Sequence, residues 1–315
     1  MIIIAMKNKL KFPPLTDAII FISLIVVFSI LTNIFIGLRL EHLLGIIFFS
    51  MLFFFNTESR KLAVALIPFV IFGISYDWMR IFPNYTVNPI DVEVLYNLEK
   101  TIFGITDNGI KLIPCEYFLK YQHPVADFLS GIFYLGWVPI PISFGIYLYM
   151  KKKKDIYLKF ALVFLFTNLL GFVCYYIYPA APPWYAMEYG FDPIVTTPGN
   201  LAGLSRFDQL IQFPLFDFIY GRNSNVFAAL PSLHSTYLAI ALFYAIRGKS
   251  PLSMTILIAV FMVGIWCTAV YTAHHYVIDV LAGILCAIVG IFLFEYGLMK
   301  LPFFRNFFNK YLNYI

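Results

Sequence analysis

Charge is scarce in this chain. Asp, Glu, Lys and Arg together make up 12% of its 315 residues, about half the share of an ordinary soluble domain. That excludes a conventional water-soluble globule. The formal net charge of +5 gives no support to a nucleic-acid partner, because the basic residues sit in short clusters between apolar segments, where they set membrane topology. Cysteine is scarce too. Cys174, Cys267 and Cys286 fall inside apolar segments and Cys115 in a long loop, so no disulfide framework can be read and the redox compartment stays open. No internal repeat or low-complexity segment stands out. A signal-peptide cleavage site is also missing: the run after Lys7, Lys9 and Lys11 is too long for a signal core and no small-residue site follows it, so it reads as a retained first span.

Apolar length is what the chain has in abundance. Hydrophobic residues make up 61% of it, in segments near 17–37, 43–56, 62–82, 125–150, 156–178, 231–247, 252–273 and 276–298. A bilayer-crossing helix needs about 20 such residues. The expected fold is therefore all-α, a polytopic membrane helical bundle of about eight transmembrane helices. With the N-terminus cytoplasmic, 15 of the 22 basic residues fall on the inner side and 13 of the 17 acidic residues on the outer side, as the positive-inside bias requires. The run Lys151 to Lys154 reads as a topology anchor.

Two outer segments are long enough to hold structure. In the first, about 83–124, Val92, Leu95, Leu98 and Ile102 recur at helical spacing and suggest either an amphipathic helix on the membrane face or a surface helix packed on the bundle. The second, about 179–230, is rich in Pro, Gly, Asn and aromatics and is a candidate lid or substrate-selecting loop. Asn84-Tyr85-Thr86 matches a glycosylation sequon, with a chance match the simpler account. Asp77 and Arg80, three apart, read as a pair. Tyr175, Tyr176, Tyr178, Trp184 and Tyr185 fall where an interfacial aromatic belt belongs.

Against this background, ionisable residues inside apolar segments are costly and mark function. The stretch Phe227 to Ser235, FAALPSLHS, sets Pro231, Ser232 and His234 at the mouth of one segment. Forty-one residues on comes HHYVIDV, in which His275 and Asp279 are four apart and share a helical face. Under the expected topology both clusters and Tyr178 meet at the outer surface. Two histidines and a carboxylate are the parts of a nucleophilic phosphoryl-transfer site. A zinc site of His234, His274, His275 and Asp279 is the rival arrangement, but adjacent helical residues rarely ligate one ion, so no metal or cofactor is expected. His274 points about 100° away from His275, which suits it to positioning the loop or a head group.

PSLH followed by H-x-x-x-D about forty residues on resembles the type 2 phosphatidic acid phosphatase superfamily, whose motifs run K-x6-R-P, P-S-G-H and S-R-x5-H-x3-D. The match spans Tyr178 to Asp279. YPAAPPWY, VFAALPSLH and AHHYVID within it are similar to the inositol phosphorylceramide synthase-like branch, and HYVIDV also to sphingomyelin synthases. Three phosphate-binding cations of the phosphatases are replaced, by Gly171, Tyr178 and Ala269, and Leu233 stands for the glycine of P-S-G-H. The synthase branch lacks those cations as well, which shifts weight from phosphatase to phosphotransferase.

The resemblance implies that His275 is the nucleophile, forming a phosphohistidine, that Asp279 orients it, and that His234 is the general acid and then the general base. Ser232 and the start of its helix would meet the phosphoryl oxygens, with Tyr178, His274 and Arg222 as further substrate-binding residues. Arg222 is the favoured replacement cation among Arg80, Lys111, Lys120, Arg206 and Arg222. The implied organisation is two additional N-terminal helices over 1–61, a six-helix catalytic membrane domain over 62–300 and a cytoplasmic tail over 301–315. The implied activity moves a phosphoinositol-type head group from a membrane phospholipid donor to a lipid alcohol acceptor at the extracytoplasmic face of an integral membrane protein. Alternatives are a lipid phosphate phosphatase and a lipid transporter or flippase. Acceptor, lipid backbone, oligomeric state and any protein partner are not specified by the sequence.

Overall fold

The computed structural model describes residues 12–220 and 225–315. Among them the regular structure is helical apart from one short hairpin, β1 (Ile105–Asp107) and β2 (Ile110–Leu112). Helices α1 (Leu15–Phe35) and α2 (Leu40–Phe55) lead into α3 (Thr57–Ala65) and α4 (Ile67–Trp78). Beyond the hairpin's flanking helices α5 (Glu93–Phe103) and α6 (Pro114–Lys120) come α7 (Pro124–Leu135), α8 (Pro139–Met150) and α9 (Lys154–Ile177). Three short helices follow, α10 (Pro183–Tyr189), α11 (Ser205–Ile211) and α12 (Leu215–Tyr220). The chain closes with α13 (Leu233–Arg247), α14 (Leu252–Tyr271), α15 (Val277–Phe292) and α16 (Pro302–Tyr314).

Among the described residues, four helices are long and apolar enough to cross a membrane: α1, α9, α14, and α15 with its continuation to Lys300. Two bent pairs raise the count to six if each is one span. The bends have a covalent cause. Pro68 opens α4 and Pro139 opens α8, and a ring that lacks an N–H and crowds the preceding turn breaks the helix there; the two pairs bend by 45° and 44°. The expected eight spans are not reached by this measure. Helix α2 has 16 residues and α13 has 15, about 24 and 22 Å long against a hydrocarbon core of about 30 Å. Local polar signals set those lengths. Asn56 ends α2 and accepts from the Ser59 amide at 2.8 Å to start α3, while Pro231 and Ser232 delay α13 and Gly248 closes it.

Helices α4, α9, α13, α14 and α15 enclose a core of aromatic and aliphatic side chains that includes Phe72, Phe160, Phe164, Tyr237 and Tyr244. The N-terminal pair is tied to α4 by a polar cluster: Arg39 Nη2 donates to Asp77 Oδ1 at 2.5 Å, His42 Nε2 lies 3.0 Å from Asp77 Oδ2, and Arg80 Nε is 3.4 Å from the same carboxylate. Asp77 and Arg80 thus pair as expected, with Arg39 and His42 added.

Helix α5 divides its faces differently from the expectation. Val92 just before it, then Leu95, Tyr96 and Glu99, are buried, whereas Val94, Leu98 and Ile102 are exposed. The buried stripe follows i, i+3, i+4, i+7, and the apolar residues at i, i+4, i+8 face outward. Asn84 is buried and donates through Nδ2 to the carbonyls of Tyr175 and Phe227 at 2.8 and 2.7 Å. Asn84 therefore has a structural role.

Candidate active site

The N-terminal ends of α13 and α15 are joined by two hydrogen bonds. The Ser232 amide donates to the Asp279 carbonyl at 2.9 Å, and Thr236 Oγ1 donates to the Gly283 carbonyl at 2.9 Å. A Cβ at Gly283 would fall 2.1 Å from the Ser232 carbonyl oxygen, so only glycine permits this approach. The junction carries His234 to the loop between α14 and α15, where its Nδ1 lies 3.1 Å from Nε2 of His275. Asp279 is fully buried. Its Oδ2 accepts the Tyr276 amide at 2.9 Å and stands 3.4 Å from His275 Nδ1. Asp279, His275 and His234 form one continuous line.

The His275 loop is fixed from several directions. The amides of His274 and His275 both donate to the Ala269 carbonyl, at 3.0 and 2.9 Å, and the His275 carbonyl accepts from Cys115 Sγ at 3.6 Å. Ala273 has φ of 59°, a left-handed conformation that costs a residue with a Cβ about 1 kcal/mol or more. Its carbonyl is held by the Trp184 amide at 3.1 Å. Around His234, the Tyr134 ring stacks at 5.0 Å and the Trp137 indole meets it edge-on at 4.7 Å. Trp137 gets there through the break that Gly136 and Pro139 impose between α7 and α8.

A cavity adjoins the histidine pair. Tyr76, Trp137, Tyr175, Trp184, Tyr220 and Tyr237 supply aromatic walls, and Asn200, Asn225 and His274 supply polar ones. The segment expected to act as a lid lines it through Trp184, Asn200, Ile219, Tyr220 and Asn225. Its position follows from backbone pairing: residue 180 lies between 91 and 228, with Ala180 N donating to Phe227 O at 3.1 Å and Ala181 N to Asp91 O at 2.9 Å.

The cavity is lined by no lysine or arginine among the described residues. Arg222, the favoured cation, lies outside them. The other candidates are engaged elsewhere: Arg206 Nε with Asp127 at 2.6 Å and its guanidinium over the Tyr271 ring, Lys120 with Asp107, Lys111 with the Thr101 carbonyl at 3.0 Å, and Arg80 with Asp77.

Ser232 is buried with its amide taken by Asp279, and its hydroxyl has no partner among the described residues. The Tyr178 ring stands apart from the cavity lining, its hydroxyl donating to Asp91. His274 lines the cavity. Thr272 Oγ1 donates to the Thr268 carbonyl at 2.7 Å and lies 2.9 Å from His274 Nδ1, so Nδ1 carries the proton and Nε2 is an acceptor. Burial, with His275 beside it, pushes this imidazole down to about 3, which keeps it neutral.

The departures from the superfamily motifs interlock. A Cβ at Gly171 would lie 2.5 Å from Leu233 Cδ2, so the leucine that replaces a motif glycine fills the space above the glycine that replaces a motif lysine. Ala269, in place of an arginine, is buried and holds both histidine amides through its carbonyl. Sequence reasoning missed Tyr134, Trp137 and Glu99. The first two reach the site by long-range packing that leaves no local pattern. Glu99 leaves no local signal either, because the stripe it shares with Leu95 and Tyr96 is set by burial and not by apolar spacing.

The PAP2 superfamily matches residues 112–293. The chain is 59% identical over 303 residues to the phosphoinositol dihydroceramide synthase of Bacteroides thetaiotaomicron, covering 96% of this chain and 99% of that one. It is 28% identical over 290 residues to the inositol phosphorylceramide synthase catalytic subunit AUR1 of Saccharomyces cerevisiae, covering 90% and 68%. A third relative, the inositol phosphorylceramide synthase of Candida albicans, is 24% identical over 204 residues, covering 61% of this chain and 42% of that one. No solved structure matches significantly. With its helical membrane bundle and its paired histidines, the chain belongs to the PAP2 superfamily.

Proposed function

We propose that this protein is a phosphotransferase that moves phosphoinositol from phosphatidylinositol to the primary hydroxyl of a ceramide-type lipid. The observation that carries this reading is the line Asp279, His275, His234 beside an aromatic cavity. The 59% identical relative named for that reaction supplies the substrate class.

With its Nδ1 proton directed at Asp279, His275 presents a lone pair on Nε2. That nitrogen attacks phosphorus, the N–P bond forms, and the bond from phosphorus to the diacylglycerol oxygen breaks. Protonated His234 gives its proton to that oxygen, diacylglycerol leaves, and phosphoinositol stays on His275. Neutral His234 then takes the proton of the incoming ceramide hydroxyl, whose oxygen displaces His275. The cycle ends with the protons where they began. At 3.1 Å the imidazoles are in direct contact, so donor binding must part them.

Charge on the equatorial oxygens calls for donors. We assign these to the Ser232 hydroxyl and to Arg222, which lies between cavity-lining Tyr220 and Asn225 in sequence, while Nε2 of His274 accepts a hydroxyl of the head group. Tyr178 is assigned a supporting place through Asp91. We place the reaction on the extracytoplasmic side, from the charge partition, and take 62–300 as the catalytic domain, with 1–61 as two additional helices and 301–315 as a cytoplasmic tail.

The test is purified protein in detergent with inositol-labelled phosphatidylinositol, with and without dihydroceramide. Label entering a sphingolipid only when dihydroceramide is present supports the reading. Release as soluble inositol phosphate makes water the acceptor and the protein a phosphatase.

A further inference from the structure

Glu99 has no part in the chemistry above, yet its carboxylate is fully buried beneath the catalytic helix. It comes from α5, outside the membrane-spanning bundle. Its two oxygens accept the amides of Val277 and Ile278 at 2.9 and 3.2 Å. These are the first two residues of α15, whose amides have no partner within the helix. Asp279 is the third residue of the same turn and accepts the Tyr276 amide. Two carboxylates therefore divide three successive amides, one from within the helix and one from a partner 178 residues away in sequence. A helix N-terminus favours negative charge, and a carboxylate spanning two amides also fixes where the turn begins.

We propose that Glu99 is a positioning residue for the transfer reaction: as a carboxylate it anchors the first turn of α15 and so holds Asp279 at its distance from His275. The proposal rests on the reading of His275 and Asp279 given above. A protonated carboxyl has one good acceptor oxygen and needs a partner for its own proton, so protonation releases one amide.

The titratable groups around it are Asp279 on α15, Cys115 and Glu116 on α6, Tyr276 in the loop, and Tyr96 on its own helix. Burial, helped by the Asp279 charge, lifts the Glu99 carboxyl from 4.5 to about 6. The sign follows. The folded protein holds this proton more tightly than the unfolded chain, so the group's contribution to stability is full below 4.5 and is lost as pH rises through about 6. Positioning needs the carboxylate, so activity rises over the same window. A purely structural residue would move activity and stability together.

The experiment compares wild type with Glu99→Gln. One readout is kcat and KM against pH, and the other is hydrogen exchange in peptides covering Val277 and Ile278. The proposal expects wild-type kcat to fall as pH drops through about 6, with KM little changed. The variant should have kcat about tenfold lower near neutral pH, the scale of one hydrogen bond to a charged group, no acid limb in that window, and faster exchange at the two amides. A variant with wild-type kcat and the same acid limb, or with unchanged exchange, overturns it. Should wild type transfer nothing at any pH, the phosphotransferase reading falls, and exchange at the two amides still decides whether Glu99 anchors the turn.

Discussion

His234 Nδ1 lies 3.1 Å from His275 Nε2, a contact between a side chain in the first turn of α13 and one in the loop before α15, 41 residues apart in sequence. It arises because Gly283 lets α15 touch the backbone of α13. In the proposed cycle the two imidazoles have unlike duties, and replacing either gives unlike results. His275→Ala removes the nucleophile and should leave no measurable transfer. His234→Ala should reduce kcat by about a hundred-fold to ten-thousand-fold, the scale of general acid catalysis. Both variants should extract as folded protein, which thermal unfolding in detergent checks.

Gly171 and Leu233 offer a second test, independent of chemistry. A methyl group at 171 would meet Leu233 Cδ2 at 2.5 Å, so Gly171→Ala should lower stability by about 1–3 kcal/mol through overpacking. Combining it with Leu233→Ala should recover part of that loss, a coupling expected of side chains in contact. Additive losses in thermal unfolding would show that the two positions do not share the space.

Arg206 was one of five candidate phosphate cations, and its guanidinium is paired instead with buried Asp127. Tyr271 also donates to that carboxylate at 2.9 Å. Arg206→Ala leaves the acid without its partner and should cost about 3–5 kcal/mol of stability. Arg206→Met with Asp127→Leu should restore much of it. Transfer per folded molecule should stay near wild type in the double variant, since neither residue lines the cavity.

Asn84 should remain unglycosylated in a host able to modify sequons, because its Nδ2 is spent on the carbonyls of Tyr175 and Phe227. An unchanged electrophoretic mobility after endoglycosidase is the expected result. Asn84→Ala leaves two buried carbonyls short of a donor and should destabilise by about 1–3 kcal/mol.

The two histidines and Asp279 were legible because their pattern is local: each lies in a short polar break in an otherwise apolar run. The helical class was legible for the same reason in reverse, since long apolar runs leave helices as the simplest way to satisfy the backbone in lipid. Span count was harder. Apolar composition does not register Pro68 and Pro139 as bends, or the caps that shorten α2 and α13. On α5, Val92, Leu95, Leu98 and Ile102 read as one apolar face, turned either to the membrane or to the bundle, and tertiary contact divides it, burying Val92 and Leu95 with Glu99 and leaving Leu98 and Ile102 exposed. Trp137 and Tyr134 around His234 depend on helix packing, which no spacing rule encodes.

The central claim is that His275 carries the phosphoinositol group, and the most direct measurement traps it there. Purified protein is mixed with phosphatidylinositol labelled in its phosphate, without acceptor, and quenched rapidly under alkaline conditions that preserve a nitrogen–phosphorus bond. The account predicts an acid-labile label on the peptide containing His275, absent from His275→Ala and chased into lipid when dihydroceramide is added. No bound label in wild type that is turning over, or label that persists in His275→Ala, would contradict it.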